Sequence, residues 1–307
     1  MEFIFDVHNL ITFVQLGSLG RLGNQLFQYA ALRGLGLMNG YETKIPNPDN
    51  KEWHGQRCLL NNFNIQSKYL NANDLNKLRY TYDEVDHMTN DKCFYNIRDY
   101  TNINGFFQST FYFGKFKEEI KAELTPKKIF LEEARESIYK LKSKYQGYEI
   151  VSIHLRRGDN TDNTDPNQVE LNRLYGIPQS KFKKKNSMYF TYLEKAKNKF
   201  QNKKIKFMIF TGGKRWDENN KDDLKWCKDN FLGEEYIFSD AESTMQDFSL
   251  IMFCDHNILS PASTFGWWAA YLNKNETKKV IAPNNYHPDV ANFNYRQGFY
   301  PKEWIII

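Results

Sequence analysis

Four residues close together carry the most chemistry in this chain: His154, Arg156, Arg157 and Asp159, in the run HLRRGD at 154–159. Two adjacent guanidiniums present fork-shaped donors that match phosphate oxygens, and their charge persists at every relevant pH. They imply an anion, and a leaving nucleoside diphosphate is one that needs them. In glycosyl transfer without a metal, charge building on the departing diphosphate must be met by fixed cations and backbone N–H groups. His154 and Asp159 could orient the arginines, bind the base or ribose, or move a proton. An ion-pair network on the surface is the structural alternative.

A second constellation spans 247–271, DFSLIMFCDHNILSPASTFGWWAAY. Ser263 and Thr264 stand between a predicted strand and a predicted helix, where hydroxyls and helix N-terminal N–H groups favour a phosphate. Asp247, on the preceding helix, could accept paired hydrogen bonds from N1 and N2 of guanine, or could be a solvent-facing helix carboxylate. Trp267 and Trp268 are expected in the core. Cys58, Cys93, Cys227 and Cys254 form no C-x-x-C pair, and no D-x-D site stands out. Neither zinc nor a disulfide framework is expected, nor any other metal or cofactor.

These residues need a sheet edge to hold them. Residues 150–155 make a β-branched apolar run suited to a strand buried on both faces of a parallel sheet. The charge cluster follows at its carboxyl end, where open α/β sheets place ligands. The second half alternates regularly: helix 187–200, strand 205–211, helix 222–230, strand 236–238, a helix to Cys254 with a capping box at Ser243 and Gln246, strand 257–260, helix 264–272 and strand 279–282. That alternation predicts a parallel sheet with helices on both faces. The polar stretch 160–185 is too long for an ordinary connection and is expected to be a mobile loop.

The first half opens with a predicted strand at 11–16, a G-x-x-G-x-x-G loop at 17–23, and a helix for which Asn24 is placed as cap. That glycine spacing is neither the dinucleotide fingerprint nor a P-loop, and a tight turn explains it equally well. Residues 41–98 are irregular, 104–116 are dense in aromatics, and 130–145 read as a helix. The domain boundary is expected there, giving domains 1–146 and 147–307, with the C-terminal tail free to pack back on the first.

At 307 residues, 41% hydrophobic and 16% aromatic, the chain can build two ordinary cores and is no disordered segment. Most of its 24 Phe and 19 Tyr are expected in those cores, with some available as sugar-stacking platforms. A formal charge of +5 fits a binder of phosphate-bearing ligands without demanding nucleic acid, which is not expected as a partner. Lys181, Lys183, Lys184 and Lys185 form a basic tip, either a solvated face or a weak contact for phosphate or an anionic membrane. No apolar run approaches a membrane span, and the start lacks the basic region of a signal peptide. A cytoplasmic location is expected; a Golgi one would need an anchor upstream of this chain.

Three motifs together resemble glycosyltransferase family 11, the α-1,2-fucosyltransferases: GRLGNQLFQYA from Gly20, the H-x-R-R-x-D signature at His154–Asp159, and STFGWW at Ser263–Trp268. They occur in the family's order between about 14 and 283. The resemblance implies α/β architecture of the GT-B type, two Rossmann-like domains facing across a cleft, with GDP-fucose held mainly by the second. It implies that Arg156 contacts the β-phosphate, that His154 and Asp247 lie near the nucleoside, and that Ser263, Thr264 and Phe265 form the other side of the diphosphate site. Asn24 and Gln25 would line the cleft from the acceptor side. Three departures stand out: Thr211-Gly-Gly213 where Ser-Asp-Asp is usual, Ser260-Pro-Ala262 before the STF segment, and Gly266 in place of serine. The implied reaction is inverting transfer of L-fucose to a galactoside hydroxyl, with Asp159 as candidate base. The alternatives are another nucleotide-sugar donor or linkage, and a catalytically silent glycan or nucleotide binder.

Overall fold

The structure is a computed structural model that describes residues 9–85, 89–156, 188–212, 221–261, 263–284 and 298–307. It divides into two compact units, the first running to Lys127 and regaining residues 298–301, the second from Lys128 onward together with Lys302–Ile307. Each is an α/β unit with its own parallel sheet.

The first unit contains strands β1 (Leu10–Thr12), β2 (Glu42–Ile45), β5 (Lys68–Tyr69), β6 (Tyr80–Asp83) and β7 (Thr101–Asn104), with a separate small hairpin of β3 (Glu52–Trp53) and β4 (Gln56–Arg57). The sheet order is β5-β2-β1-β7-β6, every pairing parallel. Helix α1 (Leu22–Asn39) is buried over most of its circumference and ends at Gly40, left-handed at φ 68°, as a helix stop favours. Its N-cap is Arg21, without a side-chain cap bond. Asn24 is therefore inside the first turn rather than at the cap. The helix begins sooner because Gly20, at φ 87°, turns the chain abruptly. A Cβ at Gly20 would lie 2.4 Å from Asn24 Nδ2, so the turn requires glycine. Phe107, Tyr112 and Phe113 of the aromatic-rich segment are in the core: Phe107 meets Phe94 at 5.4 Å and Tyr112 at 5.2 Å between ring centroids.

Helix α2 (Ala72–Lys77) follows β5, and a buried polar network ties α1 to helix α3 (Lys117–Glu123). Arg33 forks onto both carboxylate oxygens of Glu123, and Tyr29 donates to Glu123 at 2.6 Å while accepting from the backbone N–H of Gln66. The Arg33 and Glu123 side chains are 15% and 8% exposed. Removing one partner strands the other charge away from water, so Glu123→Ala is expected to cost about 3 kcal/mol. Denaturant unfolding at neutral pH checks it. A loss below about 1 kcal/mol, the range of an exposed pair, would mean that water compensates the arginine.

The second unit carries a six-stranded sheet, in order β10-β9-β8-β11-β12-β13. Its strands are β8 (Glu149–Leu155), β9 (Ile205–Thr211), β10 (Tyr236–Phe238), β11 (His256–Ile258), β12 (Val280–Ala282) and β13 (Ile305–Ile306), paired in parallel throughout. Helices α5 (Met188–Lys197), α6 (Lys221–Asn230), α7 (Thr244–Phe253) and α8 (Thr264–Leu272) connect them. The core on one face joins Val151, Ile153 and Leu155 to Phe207, Ile209, Leu193 and Cys227. Trp267 and Trp268 are fully buried, and Trp267 stacks on Tyr271 at 4.8 Å.

Helix α4 (Lys128–Lys144) belongs with this second unit, so the division falls one helix earlier than the boundary at 146/147 read from the sequence. Lys142 donates to Asp255 at 2.6 Å, Arg135 lies over the Phe253 ring, and Gln246 donates to Glu133. Gly147, at φ 77°, is the short turn from α4 into β8. The loop expected at 160–185, with Lys181, Lys183, Lys184 and Lys185, lies outside the described residues.

Candidate active site

β8 is the point at which the second sheet reverses direction: β9 and β10 extend from one side of it, β11 to β13 from the other. Open α/β sheets bind ligands at the carboxyl edge beside such a reversal. The two strands at this point are fastened end to end. Arg156, half-buried just beyond β8, donates its backbone N–H to Ser260 Oγ just beyond β11, at 3.1 Å. Beneath them Asn257 donates to Ser152 at 2.8 Å and to the Ile251 carbonyl, while Asn273 donates to Asn257 Oδ1. These buried amides lock α7 and α8 to the strand pair.

His154 and Ser263 meet directly. Ser263 caps α8, accepting the Gly266 N–H at 3.3 Å, and its Oγ lies 2.9 Å from His154 Nδ1. The His154 ring rests 5.2 Å from Phe265, which in turn packs 5.3 Å from buried Phe248. A Cβ at Gly266 would sit 3.2 Å from His154 Nδ1, so the glycine found in place of serine is where the imidazole approaches α8. Thr264 is buried at the first helical position. Four of the expected donor residues, His154, Ser263, Thr264 and Phe265, are thus one connected group, and Arg156 is two positions from His154.

Burial, and secondarily the charge of Arg156, pushes His154 down to about 3. It is neutral at ordinary pH. An unfolded histidine takes a proton near 6.5 but the native one resists until about 3, so the unfolded state binds more protons in that window. The resulting stability is full above about 6.5 and declines as pH falls toward 3. His154→Gln is expected to flatten part of the acid limb of a stability-versus-pH curve. Denaturant melts between these limits check it, and an unchanged limb would assign the acid sensitivity to other groups.

Asp247 is not the solvent-facing carboxylate that was its structural alternative. It is 6% exposed in the first turn of α7, where Ser239, just past β10, donates to its Oδ1 at 2.6 Å. Ser243 caps that helix as predicted, but the Gln246 side chain accepts from the Glu242 N–H rather than from the cap's own N–H. Ser239 was not singled out from sequence, and Ser260 only as the first residue of the Ser260-Pro-Ala262 departure; each lies within two residues of a strand's carboxyl end. Arg157 and Asp159 lie outside the described residues.

In the first unit Gln25 is buried and committed at both ends, donating to the Gly20 carbonyl and accepting from the Leu59 N–H at 3.2 Å. Its amide holds the glycine turn. Asn24, half-buried, accepts from Gln108 at 2.9 Å. Among the described residues no group of three or more His, Cys, Asp or Glu could hold a metal ion, and no helix is long and apolar enough to cross a membrane.

A parallel sheet whose strand order reverses beside an arginine, a histidine and a capped helix start is suited to an anionic ligand. The chain belongs to glycosyl transferase family 11, whose profile matches residues 7–307. It is 26% identical over 303 residues to galactoside alpha-(1,2)-fucosyltransferase 2 of Sus scrofa, covering 94% of this chain and 78% of that one. It is 28% identical over 300 residues to galactoside alpha-(1,2)-fucosyltransferase 1 of Rattus norvegicus, covering 93% and 70%. Among solved structures, the fucosyltransferase NodZ from Bradyrhizobium aligns with a TM-score of 0.47 at 12% identity, over 85% of this chain and 92% of that chain.

Proposed function

We propose that this protein is an inverting fucosyltransferase that moves L-fucose from GDP-fucose to the 2-hydroxyl of a galactoside-containing glycan. The observation that supports the site best is the junction of β8, β11 and α8, where Arg156 stands beside a helix N-terminus. Both feature types favour a diphosphate. The acceptor class rests on the family and on the galactoside transferases it resembles.

In the proposed reaction the acceptor oxygen attacks the anomeric carbon from the face opposite GDP. The new C–O bond forms as the bond to the β-phosphate oxygen breaks, its electron pair leaves with GDP, and the hydroxyl proton passes to a base. Inversion turns the β-linked donor into an α-linked product in one displacement. Asp159 is the proposed base and Arg157 a second donor-side cation. Arg156, Ser263, Thr264, Phe265 and the α8 N–H groups serve the diphosphate, and His154 and Asp247 the nucleoside. With cations in that role, the chemistry requires no metal. Asn24 and Gln25 belong to the acceptor side, Gln25 by shaping the glycine turn. The second unit holds the donor and the first serves the acceptor. Four free thiols, three of them buried, fit a reducing cytoplasm.

A donor panel tests the reading. Consumption of GDP-fucose in preference to GDP-mannose and dTDP-rhamnose, only in the presence of a galactoside, is the expected result. Preference for another donor would replace the fucosyl assignment, and GDP binding without any turnover would make the protein a silent binder.

A further inference from the structure

We infer that Thr211 binds the ribose of the nucleotide sugar, an inference that rests on the donor reading above. Thr211 is the last residue of β9, paired in register with Leu155, the last residue of β8. It is 2% exposed, and among the described residues none offers its hydroxyl a hydrogen bond. An unsatisfied buried hydroxyl costs about 1–3 kcal/mol, and a valine of the same shape would avoid that cost. The strand ends there: Gly212 follows at φ 84°, a left-handed turn that carries no side chain.

The order of strand ends assigns the ligand group. Along the carboxyl edge run Ser239 and its partner Asp247 at β10, Thr211 at β9, Arg156 at β8, and Ser260 with the start of α8 at β11. Neighbouring strands are about 4.8 Å apart, so this row is roughly 15 Å long, the scale of an extended nucleoside diphosphate. The base partner is at one end and the diphosphate partners are at the other, and the piece of the nucleotide between base and diphosphate is the ribose. Strand alternation places Thr211 on the face of Ile209 and Phe207, opposite to His154. A nucleotide lying along the edge therefore meets His154 from one face and Thr211 from the other. A ribose hydroxyl both donates and accepts, as the threonine hydroxyl does.

GDP, 2′-deoxy-GDP and 3′-deoxy-GDP binding, measured by titration calorimetry on the whole chain and on Thr211→Val and Thr211→Ser, tests this. The parent is expected to bind one deoxy analogue roughly threefold to tenfold more weakly than GDP, the worth of one neutral hydrogen bond. Thr211→Val should lose that much GDP affinity together with the discrimination, melt no lower than the parent, and Thr211→Ser should keep both. Discrimination that survives in the valine variant, or is missing from the parent, would overturn the assignment. So would a lower melting temperature for Thr211→Val, which would make the hydroxyl structural. A parent that does not bind GDP overturns the donor reading itself, and is told apart because it is seen before any substitution.

Discussion

Arg156→Ala is expected to lower kcat for fucosyl transfer by about a thousandfold, some 4 kcal/mol of barrier, while the protein stays folded. The bond between the two strand ends survives the substitution because it belongs to the main chain: the Arg156 N–H is what Ser260 accepts. In the proposed site the guanidinium acts where charge appears. GDP gains negative charge as its bond to fucose breaks, so a cation beside the β-phosphate binds the transition state better than the ground state. Its loss should fall mainly on kcat, with a smaller rise in the donor KM. Lysine should restore only part of the rate, since a point charge replaces a planar fork. Steady-state kinetics with a thermal melt on the same preparation checks this, and near-normal turnover in a folded variant would remove Arg156 from the leaving-group site.

Asp247→Asn carries the second large effect, on affinity. The carboxylate is buried, one oxygen takes the Ser239 hydroxyl, and no added positive charge is needed for it to accept from the N1–H and N2–H of guanine. Asparagine removes the charge and turns an amide N–H toward guanine's own donors. A loss of about 3 kcal/mol, roughly a hundredfold in GDP affinity, follows from two charge-assisted bonds weakened at once. Inosine diphosphate, which lacks the N2 amine, should bind the parent more weakly than GDP and the variant equally. Retained preference for GDP in Asp247→Asn would locate the base elsewhere.

Much of the second unit was legible because its strands announce themselves. The strand over 205–211, the strand over 236–238 and the helix over 264–272 are apolar runs bounded by polar turns, and the structure has them at those limits. The first unit was not, since its strands are two to four residues long and carry polar side chains such as Thr43, Lys68 and Asn102. Pairing with neighbouring strands, outward from β1 through β2 and β7, defines them, and pairing across sequence leaves no local period. Asn24 was misplaced as a cap because cap preference is local, whereas the helix start is set by the turn at Gly20. The helix over 128–144 was assigned to the wrong half because its few apolar positions do not say which sheet they cover; Asp255, more than a hundred residues away, answers that through Lys142.

The site followed the same division. His154, expected near the nucleoside, touches Ser263 and Phe265, expected at the diphosphate. What no local pattern could give was Ser260 holding Arg156 or Ser239 holding Asp247, since each bond joins two strand ends brought side by side only by the sheet order. Gln25, expected to line the cleft from the acceptor side, spends its amide on the backbone of Gly20 and Leu59.

The central claim is the transfer of fucose to a galactoside 2-hydroxyl with inversion. The direct measurement is to incubate the protein with GDP-fucose and a set of β-galactosides and determine the product linkage and anomeric configuration by NMR. An α-linked fucose on O2 of galactose is the predicted product. A β-linked product, another ring position, or fucose released only to water would contradict the account.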